Sequence, residues 1–385
     1  MITQLTIENF KKFSSLSIRD LSRVNLIVGN NNVGKTTMLE AVMGFSSGRN
    51  LGAVLNFSVW RRFPQTQEPN NNYLPAELLA NVFHDNENKE KLSFSFGGIV
   101  DGEEKVFQHK LMPGQIISSL LSNMRTEIDG TEVIHRQVPM PFPLSLGSSV
   151  MIDVPSQYLG KWEVDSEGTE AVVCDLSTPL QFNQFPNCKS FIPAMLHDFM
   201  TYRNEQDVSK VYAYLQSHET IEEFIKELND SFSDLKIIGI DNIPYPDGSN
   251  APIKIKFSDG KRHPIYALGD GFRRWYELLG GMLTFPHSVH CIEEADATLH
   301  HKAQKGFSVN LMQYAKKYEN QIFITTHSKE YLMNFLNSLE ANNADDLKRD
   351  VRIVTLRQYD DSVRHRTMDG LEALKALRQG LELRV

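Results

Sequence analysis

The chain has 385 residues, 41% of them hydrophobic, and a formal net charge of −8. A chain of this length buries a sizeable core, either as two or three domains or as one α/β core carrying a large insertion. The acidic balance gives no support to nucleic acid as a partner, and no run of about 18 apolar residues is present to cross a membrane.

In chain order, Ile2, Leu5, Ile7 and Phe10, then Leu16 and Ile18, predict a pair of short strands. The opening Met-Ile-Thr-Gln-Leu-Thr-Ile alternates like a strand and lacks the basic-then-apolar order of a signal peptide. Val24-Asn25-Leu26-Ile27-Val28 predicts a buried strand. It runs into Gly29-Asn30-Asn31-Asn32-Val33-Gly34-Lys35-Thr36, which fits the phosphate-binding pattern G-x-x-x-x-G-K-[ST]. Thr37 to Met43 continues as a helix with apolar positions spaced for packing on a sheet.

Such a loop turns backbone N–H groups inward around phosphates, and the helix N-terminus adds its dipole. Lys35 would reach the β- and γ-phosphates of ATP, the Thr36 hydroxyl would ligate Mg²⁺, and Thr37 joins the phosphate-binding set.

From Ser46 to about Pro193 the pattern loosens. Leu92 to Phe96 alternates as a strand, with Lys105 to Leu111 as its pairing partner, and Ala171 to Cys174 predicts another strand. Pro113 to Gly168, rich in Ser, Pro and Met, predicts no element. His197 to Phe232 is helical in character, with Tyr212, Leu215, Ile221, Phe224, Ile225 and Leu228 forming a core stripe. Lys236–Ile240 and Ile253–Phe257 read as strands, and strand and helix alternate from Ala267 onward. The three cysteines, Cys174, Cys188 and Cys291, have no metal-like spacing and suit a reducing cytoplasm; Cys291 reads as a small core residue.

Three further segments carry chemistry. His290-Cys291-Ile292-Glu293-Glu294 is an apolar strand ending in paired carboxylates, the first placed to hold Mg²⁺ and the second to polarise an attacking water. Glu293 stands where Asp is usual, and His290 makes the strand less apolar than expected. Gln321 to Ser328 predicts a second buried strand whose polar end places His327 beside the crevice where open α/β sheets bind ligands. Gly269-Asp270-Gly271 precedes a helix predicted over Trp275–Leu283 and opens N–H groups toward an anion.

The order of these segments resembles that of ABC-type ATPases: phosphate loop, signature turn Leu268-Gly269-Asp270-Gly271-Phe272-Arg273-Arg274, Walker B with Leu299-His300, and switch histidine in Thr325-Thr326-His327-Ser328. The chain looks like the stand-alone bacterial AAA-15 and AAA-21 ATPases related to OLD, RecF and SMC heads. Phe191-Ile192-Pro193, the closing Gly380 to Arg384 and the opening Glu8 to Phe13 are similar too, the last to a strand-turn that flanks adenosine.

The resemblance implies an α/β ATPase head from 1–50 and 190–385, with 51–190 completing its first lobe and adding a family-specific, partly helical insertion. Gln65 is the first candidate by position for a Q-loop glutamine. The resemblance also implies a homodimer or higher homo-oligomer, packed head to tail so that Gly269, Asp270 and Gly271 meet the γ-phosphate of the opposing subunit's ATP. Glu294 and His327 would be catalytic, with Thr36 and Glu293 holding Mg²⁺.

Three uses of such a cytoplasmic ATPase compete. The first is a nucleotide-dependent sensor or scaffold of an anti-phage or toxin-type system, with a separately encoded effector such as a nuclease. The second is a DNA-repair or chromosome ATPase of the RecF or SMC kind, against which stand the missing coiled coil and the net charge. The third is a fused nuclease. Too little chain follows His327 for a TOPRIM domain, Asp360, Asp361 and Asp369 read as a hairpin turn, and acids such as Asp85, Glu87, Glu90, Asp101, Glu103 and Glu104 read as solvated surface.

Overall fold

The computed structural model describes residues 1–50, 53, 54, 57, 82–84 and 92–113. It also describes the strand segments 125–128, 131–139, 149–155, 160–166 and 169–175, and residues 189–383 apart from 200, 204, 233, 243–251, 298–300, 342–347 and 361.

β1 (Ile2–Phe10) and β2 (Phe13–Ile18) form the expected pair, antiparallel, with Ile2, Leu5, Ile7 and Phe10 all buried. β3 (Val24–Gly29) is buried along its whole length, as a central parallel strand covered on both faces must be. It leads through the phosphate loop into α1 (Lys35–Ser47). β4 (Leu92–Val100) and β5 (Glu103–Pro113) pair as anticipated. Asp101 and Gly102 join them at φ 52° and 87°, the left-handed pair that a two-residue hairpin favours. β6 (Arg125–Ile128), β7 (Thr131–Pro139) and β8 (Ser149–Pro155) make a small sheet of their own. β9 (Gly160–Ser166) and β10 (Thr169–Asp175) return to the first sheet, whose order is β10-β9-β5-β4-β1-β2.

The second half begins with β11 (Ala194–His197), α2 (Glu205–Ser217) and α3 (Ile221–Ser231). β12 (Ile237–Asp241), β13 (Lys254–Phe257) and β14 (Arg262–Pro264) then form a second small sheet. α4 (Asp270–Thr284), β15 (Val289–Ile292), α5 (His301–Lys317), β16 (Gln321–Thr325) and α6 (Lys329–Ala341) follow. The last elements are β17 (Val351–Tyr359), β18 (Ser362–Asp369) and α7 (Gly370–Arg378). The main sheet has the order β11-β15-β16-β3-β17-β18, parallel throughout except for the antiparallel edge strand β18.

The period-2 alternation of its strands sorts two cores. Ile27, Cys291, Phe323 and Val354 point toward α1 and the antiparallel sheet. Leu26, Val28, Ile292, Ile322, Ile324 and Ile353 point the other way, toward α4, α5, α6 and α7. Helix α1 is therefore caught between two sheets, burying Met38, Leu39, Val42 and Phe45. At about 1.5–3 kcal/mol for each large apolar side chain, that sandwich holds the phosphate loop rigidly.

Several expectations are corrected. The stretch from Pro113 to Gly168 holds four strands or parts of them; β7 reads Thr-Glu-Val-Ile-His-Arg-Gln-Val-Pro, whose mixed pattern masks any period of two. His197 ends a strand rather than opening a helix, because β11 is only four residues long and pairs with β15. The helical stripe is two helices, broken where Glu219 takes φ 56°. Asp369 belongs to no hairpin turn: it caps α7, accepting from the Glu372 N–H at 2.7 Å in a capping box. Gln65, Leu299, His300, Cys188, Asp85, Glu87, Glu90 and Asp361 lie outside the described residues. Among the described residues, no helix is long and apolar enough to cross a membrane.

Candidate active site

The phosphate loop turns because its backbone leaves the ordinary range at three places: Gly29 at φ 149°, Asn32 at φ 60° and Gly34 at φ 102°. A Cβ on Gly29 would sit 2.5 Å from the Leu356 carbonyl oxygen, and one on Gly34 would press the Phe13 ring at 3.0 Å. Only glycine fits either place. The Lys35 ammonium lies over the loop, donating to the carbonyls of Gly29 at 3.0 Å and Asn30 at 2.8 Å. Gly34 is the N-cap of α1 and has no side chain to cap with, so the first-turn N–H groups keep their capacity for an anion.

The loop meets the end of β15 directly, where the Thr36 hydroxyl donates to Glu293 Oε1 at 2.6 Å. Glu294 takes φ 47°, an uncommon conformation for a residue with a side chain. Its N–H donates to Thr325 Oγ1 at 3.0 Å, and its carboxylate lies 3.6 Å from His327 Nδ1, with both side chains about half exposed. Parallel β15 and β16 are adjacent in the sheet, so the Glu pair and His327 leave it side by side, with the strand that leads to His327 next to β3.

Gly269, Asp270 and Gly271 stand on the helix-covered face of the sheet, opposite α1. The helix starts earlier than predicted: Gly269 is its N-cap, and Asp270 and Gly271 already belong to its first turn. A Cβ on Gly269 would meet nothing within 4 Å. Asp270 is held by Arg203 at 2.6 Å and Arg273 at 3.5 Å, and the Arg203 guanidinium lies 4.1 Å from the Phe199 ring centroid.

Sequence reasoning missed the supports. Arg274, 2% exposed, donates to the main-chain carbonyls of both acids, to Glu293 and, at 2.9 Å, to Glu294. Asp296 accepts from the Thr326 hydroxyl at 2.6 Å, fixing the turn that carries His327. His290 is fully buried and bonded to His197 and Ser288. A histidine in an otherwise apolar strand was the one visible signal, because a buried polar side chain demands a partner. Lys11, in the turn after β1, pairs at 2.8 Å with Glu40, a fully buried acid of α1.

The residues suit a nucleotide and a divalent ion. Thr36 and Glu293 already bring hydroxyl and carboxylate oxygens within 2.6 Å of each other at the helix N-terminus. Among the described residues, no group of three or more His, Cys, Asp or Glu could hold a metal. A hydroxyl and a carboxylate oxygen are donors that a hard divalent cation takes, its shell completed by phosphate and water.

A phosphate loop whose helix is roofed by an antiparallel sheet, with acids and a histidine arriving from the two strands on one side of it, defines an ABC-type P-loop ATPase. The family models agree on an ATPase. Residues 1–130 match the family model of an AAA ATPase domain, and residues 198–334 match that of an AAA domain described as a putative AbiEii toxin of a type IV TA system. The chain is an ATPase. A Helicobacter pylori protein named ATP/GTP phosphatase is 22% identical over 389 residues, covering 96% of each chain. Among solved structures, the SMC head domain from Thermotoga maritima is 14% identical, with 95% of this chain and 98% of that chain covered and a TM-score of 0.43. An Smc head with an extended coiled coil, bound to the C-terminal domain of ScpA from Pyrococcus furiosus, is 11% identical, with 98% of each chain covered and a TM-score of 0.44.

Proposed function

We propose that the chain is the ATP-hydrolysing sensor or scaffold subunit of a bacterial defence or toxin-type system, acting on a separate effector. The bond between Thr36 and Glu293 carries the catalytic part of this reading, because it joins the phosphate loop to the acid-bearing strand. The ATP phosphates lie along Gly29, Asn30, Asn31, Asn32, Val33, Gly34, Lys35, Thr36 and Thr37. Thr36 and Glu293 would hold Mg²⁺, which would supply charge neutralisation on the phosphates. Glu294 accepts the proton of the attacking water, and His327, beside it, orients that water and the γ-phosphate. Water oxygen bonds to the γ-phosphorus as the bond to the bridging oxygen breaks, giving ADP and phosphate.

Gly269, Asp270 and Gly271 act in trans, on the γ-phosphate of a second copy packed head to tail. The open space at Gly269 and the charge compensation of Asp270 by Arg203 and Arg273 support this, since an uncompensated carboxylate would repel a polyanion. ATP then favours the paired state and hydrolysis releases it. The family description of a putative toxin of a TA system supports the toxin-type context.

Co-expression with the products of neighbouring genes tests the reading. An effector retained with ATP and Glu294→Gln, and released on hydrolysis by the unmodified chain, is the expected result. DNA or RNA cleavage by the chain alone, lost on mutating acids between 51 and 190, would make the chain its own effector.

A further inference from the structure

A buried polar chain runs from the signature helix to the strand that carries the two acids. Glu277 lies on α4, is 3% exposed, and receives His197 Nδ1 at 2.9 Å on each carboxylate oxygen. His197 Nε2 meets His290 Nδ1 at 2.8 Å, and His290 Nε2 meets Ser288 Oγ at 2.8 Å. The Ser288 hydroxyl donates onward, to the Phe285 carbonyl at 2.5 Å.

Donors and acceptors can be assigned from the far end. Ser288 gives its proton to a carbonyl, so it accepts from His290 Nε2–H. His290 Nδ1 then accepts from His197 Nε2–H, and His197 Nδ1 and the Glu277 carboxyl group share the proton between them. Burial, and secondarily the charge of His197, holds His290 far below the usual imidazole range, which agrees with its neutral place in this order.

The chain ends where the chemistry begins. The carbonyl of His197 accepts the N–H of Glu293 at 2.9 Å. One turn before Glu277 on the same helix, Arg274 grips the carbonyls of Glu293 and Glu294. Helix α4 thus holds the acid pair at three main-chain points, twice through Arg274 and once through Glu277 and His197. Gly271 lies six residues from Glu277, about 9 Å along the helix axis.

We propose that Glu277 and His197 are positioning residues that set the Glu293–Glu294 main chain from the signature helix, so that engagement of Gly269–Gly271 by an opposing subunit's nucleotide adjusts the acids of the subunit that owns the helix. This rests on the site assignment proposed above. A packed helix moves as a unit, so contact at its N-terminus reaches residues two turns along it. Glu294, held at φ 47°, is the residue such a movement would shift most directly, because its conformation depends on its supports.

The test is a cycle of Glu277→Gln and His197→Asn, each alone and each combined with Glu294→Gln, read by phosphate release, ATP affinity and thermal midpoint. Glu277→Gln keeps the shape of the side chain and carries the test alone if His197→Asn does not fold. The expected result is a fall in kcat of at least 10-fold, with KM for ATP and nucleotide affinity within 3-fold of the unmodified chain. In the Glu294→Gln background the second substitution is expected to add less than 2-fold, because the group it positions is already gone. Unchanged kcat, a parallel rise in KM, or effects that multiply in the double variant would overturn the inference while leaving the site assignment intact. Full-rate hydrolysis by Glu294→Gln itself would instead overturn the site assignment, and the inference with it.

Discussion

Thr36 and Glu293 stand 257 positions apart in the chain, yet the hydroxyl of one donates to the carboxylate of the other across 2.6 Å. Both are oxygen donors of the kind Mg²⁺ takes, and both are fixed, Thr36 by α1 and Glu293 by main-chain bonds to His197 and Arg274. Glu293→Gln is expected to raise the Mg²⁺ concentration for half-maximal turnover by 10-fold or more. Glu294→Gln is expected to leave that concentration alone and slow turnover by about 10²–10⁴-fold, the usual contribution of a general base. Metal titrations of both variants check the assignment, and the reverse pattern would mean that the two roles are exchanged.

Lys35→Ala removes the ammonium that lies over the phosphate loop. A lost charge-assisted bond costs about 1.5–3 kcal/mol, so nucleotide affinity is expected to fall roughly 10- to 150-fold. Affinity within a factor of two of the unmodified chain would remove Lys35 from the site.

Gly271→Arg places a long side chain in the first turn of α4, where an opposing γ-phosphate is proposed to sit. Lys35→Ala and Gly271→Arg chains are each expected to be inactive alone, since every site in a symmetric pair is damaged. Mixed, they form a heterodimer with one doubly damaged site and one intact site, and activity is expected to recover in part. No recovery on mixing, with each variant folded, would place the signature turn outside the partner's site.

His109 on β5 is completely buried, stacked on Phe94 at 4.6 Å and edge-on to Phe96 at 5.6 Å, and burial lowers its pKa from 6.5 to about 3. Above pH 6.5 folded and unfolded chains are both neutral there, so it contributes no pH dependence. Between pH 6.5 and 3 the unfolded chain binds the extra proton, and stability falls by up to about 1.4 kcal/mol per pH unit. His109→Phe is expected to flatten that slope. Urea unfolding of both chains at pH 7 and pH 5 gives the measurement, and equal losses on acidification would show that His109 is not responsible.

The sequence made legible whatever depended on local pattern. The phosphate loop could be read because its glycines are dictated by two close approaches, Leu356 to Gly29 and Phe13 to Gly34, which leave no alternative residue. The places of the acid pair and His327 could be read because each lies just past the end of a fully buried strand. Arg274, Glu277 and His197 could not be assigned roles, because their partners come from other elements: α4 reaches the ends of β11 and β15 only once the sheet has formed. The sequence pattern places the start of α4 five residues late because Gly-Asp-Gly reads as a turn, whereas Gly269 is an N-cap and Gly271 a first-turn residue. β6 to β8 were invisible for a different reason: they pair only with one another, in a small sheet without a long apolar run.

The place of β3 also governs how the chain can be made. Its two neighbours in the sheet are β16 and β17, from Gln321–Thr325 and Val351–Tyr359, and β1 is tied by its Ile2 main chain to the Gln321 side chain at 2.8 and 2.7 Å. During synthesis the phosphate-loop strand emerges early and waits for partners encoded near the far end. Closing contacts so distant in sequence is slow, and an apolar strand left waiting is exposed to the wrong neighbours. A truncation after α5 would keep the phosphate loop and lose both strands that flank it.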